Sequence, residues 1–402
     1  MPPPAADWRV RLVLSTLMAF AAISTDLYLP ALPQVAADLL ADPARIQLTI
    51  AAYLAGFTAG QLLWGPIGDR YGRRAPITAG TVLFIIGAAA CAFSQSASQL
   101  IAGRVVQALG ASAGVVLARA IVRDLYERDR AAQMLSRLMI VMLIAPLIGP
   151  TIGGQILALA GWRAIFLTLV AVGLASLLSL RLLPETLTAE RRNPAPLTHA
   201  FAGFATLLRD PALRACAGAI ACYYAGTFAY IAASPFAYIT YYGVPPQLYG
   251  ILFGLGVGGI MLTNILNARL VVRLGADRMM RLGTAITALS GLALAYDGLT
   301  GTAGLWGLVV PMFFYTAASG FIVANAMATA LANYPSRAGA VSALVGAIQW
   351  AGAILGSTIA ATLADGTPWP MTAMLAIGGI GAATCTRLIA KHPSSLGAPA
   401  SK

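Results

Sequence analysis

The chain has 402 residues, of which 59% are hydrophobic and 10% charged, and a mean hydropathy of +0.78, more apolar surface than a soluble domain can bury. A net charge of +12 would suit a nucleic-acid binder if the chain were soluble, but here the arginines sort by loop. Four cysteines (Cys91, Cys216, Cys222, Cys385) lie in apolar segments without metal-ligand spacing. An all-α polytopic membrane protein remains, with no metal, cofactor or nucleic-acid partner expected.

About 20 apolar residues span the hydrocarbon, and polar or Gly/Pro-marked breaks divide the chain into twelve such runs. They cover 10–33, 46–68, 75–94, 98–120, 132–157, 161–183, 212–239, 246–272, 280–298, 303–332, 337–363 and 368–390. With the N-terminus inside, only Arg45 and Arg163 fall on the outer side, which predicts both termini in the cytoplasm. The polar stretch 184–211, with Glu185, Glu190, Arg191, Arg192 and several prolines, reads as a cytoplasmic linker between an N-terminal six-helix bundle (1–183) and a C-terminal one (212–402). A weak internal echo, Arg70-Tyr71-Gly72 after the second run and Arg273-Leu274-Gly275 after the eighth, supports duplicated halves.

The first run carries Ser24-Thr25-Asp26-Leu27-Tyr28-Leu29-Pro30. A carboxylate at membrane depth costs several kcal/mol, roughly, so Asp26 is expected to face a cavity or partner and to mark a proton or substrate path. At 1.5 Å per residue from about Val10 it lies roughly 24 Å along the helix, in the outer half of the span. Its natural partner is Arg104, inside the fourth run, since a guanidinium there needs a carboxylate, a carbonyl or a wet cavity. Burial and a neighbouring guanidinium act oppositely on a carboxylate's proton, which would let the pair take up and release it.

The connection after the second run packs Gly65, Asp69, Arg70, Gly72, Arg73 and Arg74 into one short stretch. Glycines permit a tight turn and the charges should pair across the cytoplasmic face. Asp69 is expected near the start of the eleventh run around Ser336, where a carboxylate gains from the helix dipole, and Arg73 is expected to pair with Asp124. The corresponding second-half positions, Val272 and Ala276, carry no charge, so the latch should be one-sided. The seventh run sets Tyr223, Thr227, Tyr230 and Ser234 at spacings of four, three and four, a stripe that either lines a cavity or bonds between helices. With Tyr28, Tyr53 and Gln349 these rings, hydroxyls and amides suit neutral or amphiphilic molecules. Gly254, Gly256, Gly258 and Gly259 match a nucleotide-binding pattern, but within an apolar helix they read as a packing face, with the fifth run as its candidate neighbour.

The loop Gly65-Pro-Ile-Gly-Asp69-Arg70-Tyr-Gly72-Arg73-Arg74 resembles the signature loop of the major facilitator superfamily at every fixed position. The stretch from Leu100 through Arg104 to Gly110 resembles its fourth-helix motif, whose arginine is implicated in proton handling. Ala145-Pro146-Leu-Ile-Gly149-Pro150-Thr-Ile-Gly153-Gly154 resembles the fifth-helix motif of antiporters, with Ala145 in place of its first glycine. With the Asp26 segment, these motifs resemble the Bcr/CflA group of drug/proton antiporters. The resemblance implies twelve helices in two pseudo-symmetric bundles, a bacterial inner-membrane monomer, and export of drugs such as amphenicols, bicyclomycin-like compounds or sulfonamides against protons by alternating access. Its alternatives are a proton-coupled importer or facilitator of a metabolite, and a membrane receptor or scaffold. An enzyme is not expected: no nucleophile–base or metal constellation is present, and the only lysines, Lys391 and Lys402, leave no phosphate-binding loop.

Overall fold

The computed structural model describes residues 7–188, 190, 192, 204–332, 334 and 337–391, and among them every regular element is helical. A backbone in hydrocarbon must satisfy its own polar groups, which a helix does within one segment. Eleven stretches are long and apolar enough to cross a membrane. One of them, Asp129–Leu182, has 54 residues, twice what a crossing needs, so the described residues make twelve crossings.

Contacts divide the chain into two compact units, Met1–Leu197 with Gly243–Gly254, and Thr198–Tyr242 with Leu255–Lys402. The first holds α1 (Asp7–Asp26), α2 (Leu32–Asp38), α3 (Pro43–Tyr71), α4 (Arg74–Ala92), α5 (Ala97–Leu125) and α6 (Arg128–Ser179). Helix starts are marked in the sequence. Asp42 accepts a 2.9 Å hydrogen bond from the Ala44 amide ahead of α3, with Pro43 behind it, and Ser96 accepts from Gln99 N at 3.3 Å ahead of α5. The fifth and sixth crossings, expected to be separated by residues 158–160, meet in α6 at Gly161, the one non-helical residue (φ 75°, ψ 173°). Helix α5 packs on α3, α4 and α1, and α1 also packs on α6.

The remaining helices are α7 (Phe204–Leu207), α8 (Pro211–Pro235), α9 (Pro246–Leu274), α10 (Ala276–Thr300), α11 (Gly304–Ala317), α12 (Ser319–Ala332), α13 (Ala338–Thr362) and α14 (Trp369–Lys391). The first turns of α9 belong to the first unit. In the second unit α8 packs on α13 and α14, and α10 on α14 and α12. Helices in lipid gain little from hydrophobic exclusion and depend on close contact. Accordingly a Cβ on Gly291 would sit 2.8 Å from the Leu375 carbonyl oxygen, and one on Gly56 would sit 2.5 Å from that of Val105. The glycine-rich stretch of α9 is a packing face at three of its four glycines, and a shared one: Gly254 lies over Leu147 of the fifth crossing, Gly256 and Gly259 lie over Thr316 and Ala317 of α11, and Gly258 faces open space. The four cysteines are free thiols.

Two expected runs are broken. The run 303–332 divides at Ala318 into α11 and α12. More important, the run 10–33 does not continue as one helix: α1 ends at Asp26, a 3₁₀ turn spans Leu29–Ala31, and α2 follows. Pro30 and Pro33 lack the amides that an unbroken ladder would use.

Candidate functional site

The break after Asp26 organises one end of the first unit. The Leu27 amide still bonds the Ile23 carbonyl (3.1 Å), but Tyr28 N turns to Thr25 O (3.1 Å), which leaves the Ser24 carbonyl without its helical donor. Arg104 fills the vacancy: its Nη1 donates to Ser24 O at 2.9 Å and to Gln107 Oε1 at 2.7 Å. The rest of the guanidinium lies against rings, with its Cζ 4.2 Å from the Tyr53 centroid, 5.0 Å from Tyr28 and 6.0 Å from Phe166. Each such cation–π contact contributes roughly 0.5–2 kcal/mol, the upper end where water is excluded, and Arg104 is 0% exposed. The positive charge also sits at the negative end of the α1 dipole.

The expected Asp26–Arg104 ion pair is therefore absent among the described residues. A carbonyl released by the helix break takes Nη1 and the faces of Tyr28 and Tyr53 flank the guanidinium in place of the carboxylate, while Nε and Nη2 are buried without a hydrogen-bond partner among the described residues. Asp26 is 6% exposed and its Oδ2 has no hydrogen-bond partner among the described residues. It faces the fifth crossing. A Cβ on Gly149 would lie 2.8 Å from the Asp26 Cβ, and one on Gly153 would collide with the Leu27 carbonyl. On the other side of the same motif, a Cβ on Gly154 would lie 2.7 Å from the Pro246 carbonyl oxygen. Gly149, Pro150, Gly153 and Gly154 thus form a segment of α6 that rests on the Asp26–Leu27 corner with one face and on the start of α9 with the other.

The corner is held from three sides. Thr49 donates to Ile46 O (2.6 Å), so the Tyr28 hydroxyl, 3.2 Å from Thr49 Oγ1, is the donor in that contact. Tyr53 OH reaches Ala21 O at 3.3 Å. The Trp162 indole N–H donates to Asp38 Oδ2 at 2.8 Å, fixing the end of α2, and its ring meets Phe166 edge-on, which in turn leans on Tyr28. Ser24, Thr49, Gln107 and Phe166 had no assigned role in the sequence. The carbonyl of Ser24 in particular gives no sequence signal, since its availability follows from the helix break.

At the opposite end of these helices, the loop between α3 and α4 turns at Gly72 (φ +90°), a conformation that favours glycine. Arg73, 7% exposed, donates from Nε to Asp124 Oδ2 at 2.8 Å and from Nη1 to Asp69 Oδ1 at 2.6 Å. A Cβ on Gly68 would collide with the Leu117 side chain and come within 3.3 Å of Arg73 Nη1, so that glycine makes room for Leu117 first and for the guanidinium beside it. Asp124 lies in α5, which runs five residues beyond its expected end at 120. A Cβ on Gly65 would make only ordinary contact with Val116, at 3.8 Å, Arg70 is exposed and covers the Tyr71 ring at 5.6 Å, and Arg74 is exposed.

Glu185, read from sequence only as the start of a polar linker, belongs to this cluster. It accepts from Arg73 N (2.8 Å) and Arg74 N (3.1 Å), capping α4, and from the amides of Thr186 and Leu187 (both 3.0 Å). Desolvation pushes its carboxyl up, but the amides of Arg73, Leu187, Arg74 and Thr186 outweigh that and hold it below the usual carboxylate range. The expected contact of Asp69 with Ser336 falls outside the described residues.

In the second unit the stripe of α8 is packed inward. Tyr223, Tyr230 and Ser234 are buried and Thr227 is half-buried; Tyr223 OH donates to Thr316 O at 3.1 Å and its ring stacks on Tyr315 at 5.7 Å. Gln349 is half-buried. Sequence reading also missed Asp297, a 4% exposed acid whose Oδ1 accepts from Ala303 N at 2.8 Å ahead of α11. Its position at the expected end of the ninth run concealed it.

A twelve-crossing helical protein with a buried acid at the break of its first helix and a charge-paired turn at the opposite end, after its second crossing, has the fold of a secondary transporter. The Major Facilitator Superfamily model matches residues 14–357 and 216–402, and the chain belongs to that family. It is 34% identical to a Haemophilus influenzae bicyclomycin resistance protein homolog over 362 residues, 90% of each chain. It is 28% identical to multidrug resistance protein D of Escherichia coli over 389 residues, 96% of this chain and 97% of the other. Among solved structures, a bacterial homolog of the human lysosomal transporter Spinster matches with TM-score 0.78 at 18% identity, covering 98% of this chain and 100% of the other. A D-xylose–proton symporter matches with TM-score 0.72 at 16% identity, covering 96% and 97%, and these likenesses speak to fold alone.

Proposed function

We propose that the chain is a proton-coupled exporter of small amphiphilic, drug-like molecules, a monomer in a bacterial inner membrane with both termini in the cytoplasm. Asp26 is the coupling acid. The observation that carries this reading is a buried carboxylate with an unpartnered oxygen, placed where the fifth-crossing motif touches the first helix. A carboxylate in that position can hold a proton or exchange it for a ligand without breaking an ion pair. Arg104 serves as the fixed cation of the corner, holding the helix end that presents Asp26. The resistance proteins named above support drugs as the cargo, and the arginine distribution supports the orientation.

The test is drug efflux into vesicles across an imposed pH gradient, beside susceptibility profiling of cells with and without an uncoupler. Resistance that disappears with the uncoupler, together with drug-induced proton release from the purified protein, is the expected result. Undiminished pH-driven efflux by Asp26→Asn would remove Asp26 from the mechanism. Single-cysteine labelling tests the orientation: outside reagents should reach Ser96→Cys and Gly366→Cys and should miss Arg192→Cys.

A further inference from the structure

The hairpin of α9 and α10 repeats the glycine turn of the α3–α4 loop, with Gly275 at φ +80°, but treats its charges in the opposite way. Arg269, Arg273, Arg278 and Arg281 are all exposed, and none meets a carboxylate, another acceptor or a ring among the described residues. Asp277 is the one acid between Arg269 and Arg281, so the net charge of that stretch is four minus one, or +3.

The surface beneath these arginines is also distinctive. On α9, Leu262 (53% exposed), Leu266 (37%), Arg269 and Arg273 follow at spacings of four, three and four, one outward stripe that passes from apolar to cationic. On α10 a second stripe starts at Arg278 and continues through Leu282 (46%) and Leu289 (69%) to Tyr296 (64%). A preference for arginine on the inner side accounts for the number of charges. It does not require that each of the two helices carry an exposed leucine stripe leading to the arginines at one turn.

We infer that the α9–α10 hairpin is a binding site for an anionic phospholipid, with the phosphodiester headgroup between the four arginines and the acyl chains along the two leucine stripes. The chemistry is complementary at both levels: guanidinium groups pair with phosphate in forked geometry, and exposed leucines in a membrane are acyl-chain surface. A zwitterionic headgroup carries its own ammonium and gains much less from the site. Asp277 disfavours a second phosphate beside the start of α10. This inference is independent of what the protein transports.

The full chain, purified in detergent, is titrated with phosphatidylglycerol or phosphatidylcholine and the bound lipid counted by native mass spectrometry. A basic residue at a membrane surface adds about fivefold in affinity for anionic lipid, so the parent should prefer phosphatidylglycerol by at least about tenfold. The variant Arg269→Gln/Arg273→Gln/Arg278→Gln/Arg281→Gln should lose that preference and keep its phosphatidylcholine binding. A control with Arg181→Gln/Arg209→Gln/Arg214→Gln, equally exposed arginines elsewhere, should keep the preference. If the quadruple variant does not accumulate, the two double variants are compared, and each should lose part of the preference. An unchanged preference in the quadruple or both double variants overturns the inference. Equal loss in the control would reduce it to diffuse charge, and displacement of the lipid by inorganic phosphate would show an ion site; either also overturns it.

Discussion

Arg73 and Arg104 are both buried cations of the first unit, 7% and 0% exposed, yet Arg73 is met by carboxylates while Arg104 bonds through Nη1 alone and leaves Nε and Nη2 without a hydrogen-bond partner among the described residues. Arg73 is held by the carboxylates of Asp69 and Asp124, with Glu185 on its own amide, so its cluster is paired in charge. Arg104 has no carboxylate at all: it takes a carbonyl, an amide oxygen and aromatic faces, while Asp26, two residues from its carbonyl partner, keeps an unpartnered oxygen. On the proposed reading, the difference separates a clasp from a site. Neutralising one member of the first cluster leaves charges stranded, whereas a proton can join or leave Asp26 without breaking a salt bridge.

The largest expected effect tests the open site. Asp26→Asn should reduce drug efflux driven by a pH gradient to the level of uncoupled vesicles while leaving thermal stability near that of the parent. A large fall in melting temperature instead would assign Asp26 to structure. Next, Arg73→Ala should cost about 3 kcal/mol in unfolding, because it leaves Asp124 largely buried and unpaired. Asp69→Asn should cost under about 1 kcal/mol, since the Asp69 side chain is 54% exposed. Chemical denaturation of the purified variants distinguishes the two, and equal costs would mean that the clasp does not centre on Arg73.

The corner itself should answer to volume. Gly153→Ala should destabilise by about 2 kcal/mol and slow transport, because the new methyl meets Leu27 backbone and not a side chain that can rotate away. Tyr28→Phe should cost about 1 kcal/mol, leaving Thr49 without its donor. The smallest effect is one of pH. Glu185 is held below the usual carboxylate range, so its contribution is full above that range and is lost as pH falls through its lowered value. The melting difference between parent and Glu185→Gln should therefore be flat from pH 8 to about pH 5 and close only below about pH 4. A difference that closes near neutral pH would place a titrating group in the clasp.

The sequence made the crossings and the clasp legible because both are written in local spacing. Apolar runs have a length, and the glycine-flanked charges of the Asp69–Arg74 loop have few places to go, so the Arg73–Asp124 pair could be expected before any coordinates. The partner of Arg104 could not. Which face of a helix meets which neighbour depends on packing, and the apolar run through residue 33 hid the point at which α1 releases the Ser24 carbonyl. Glu185 was obscured for a related reason: it sits in a polar stretch whose composition resembles a free linker, and only the turn at Gly72 brings two amides within its reach. Asp297 lay at an expected helix end, where an acid is unremarkable in sequence.

The turn at Gly161 has a consequence for the making of the protein. With a single residue between the fifth and sixth crossings there is no polar spacer at which a nascent chain could rest half-inserted, so these crossings must enter the bilayer together as a hairpin. A Cβ at Gly161 would meet nothing within 4 Å, so any other residue there is penalised by its backbone angles alone (φ 75°, ψ 173°), by about 1–3 kcal/mol. That penalty falls on hairpin closure during synthesis. Gly161→Val should therefore lower the yield of inserted protein in a cell-free membrane assay, while the molecules that do insert turn over cargo at the parent's rate.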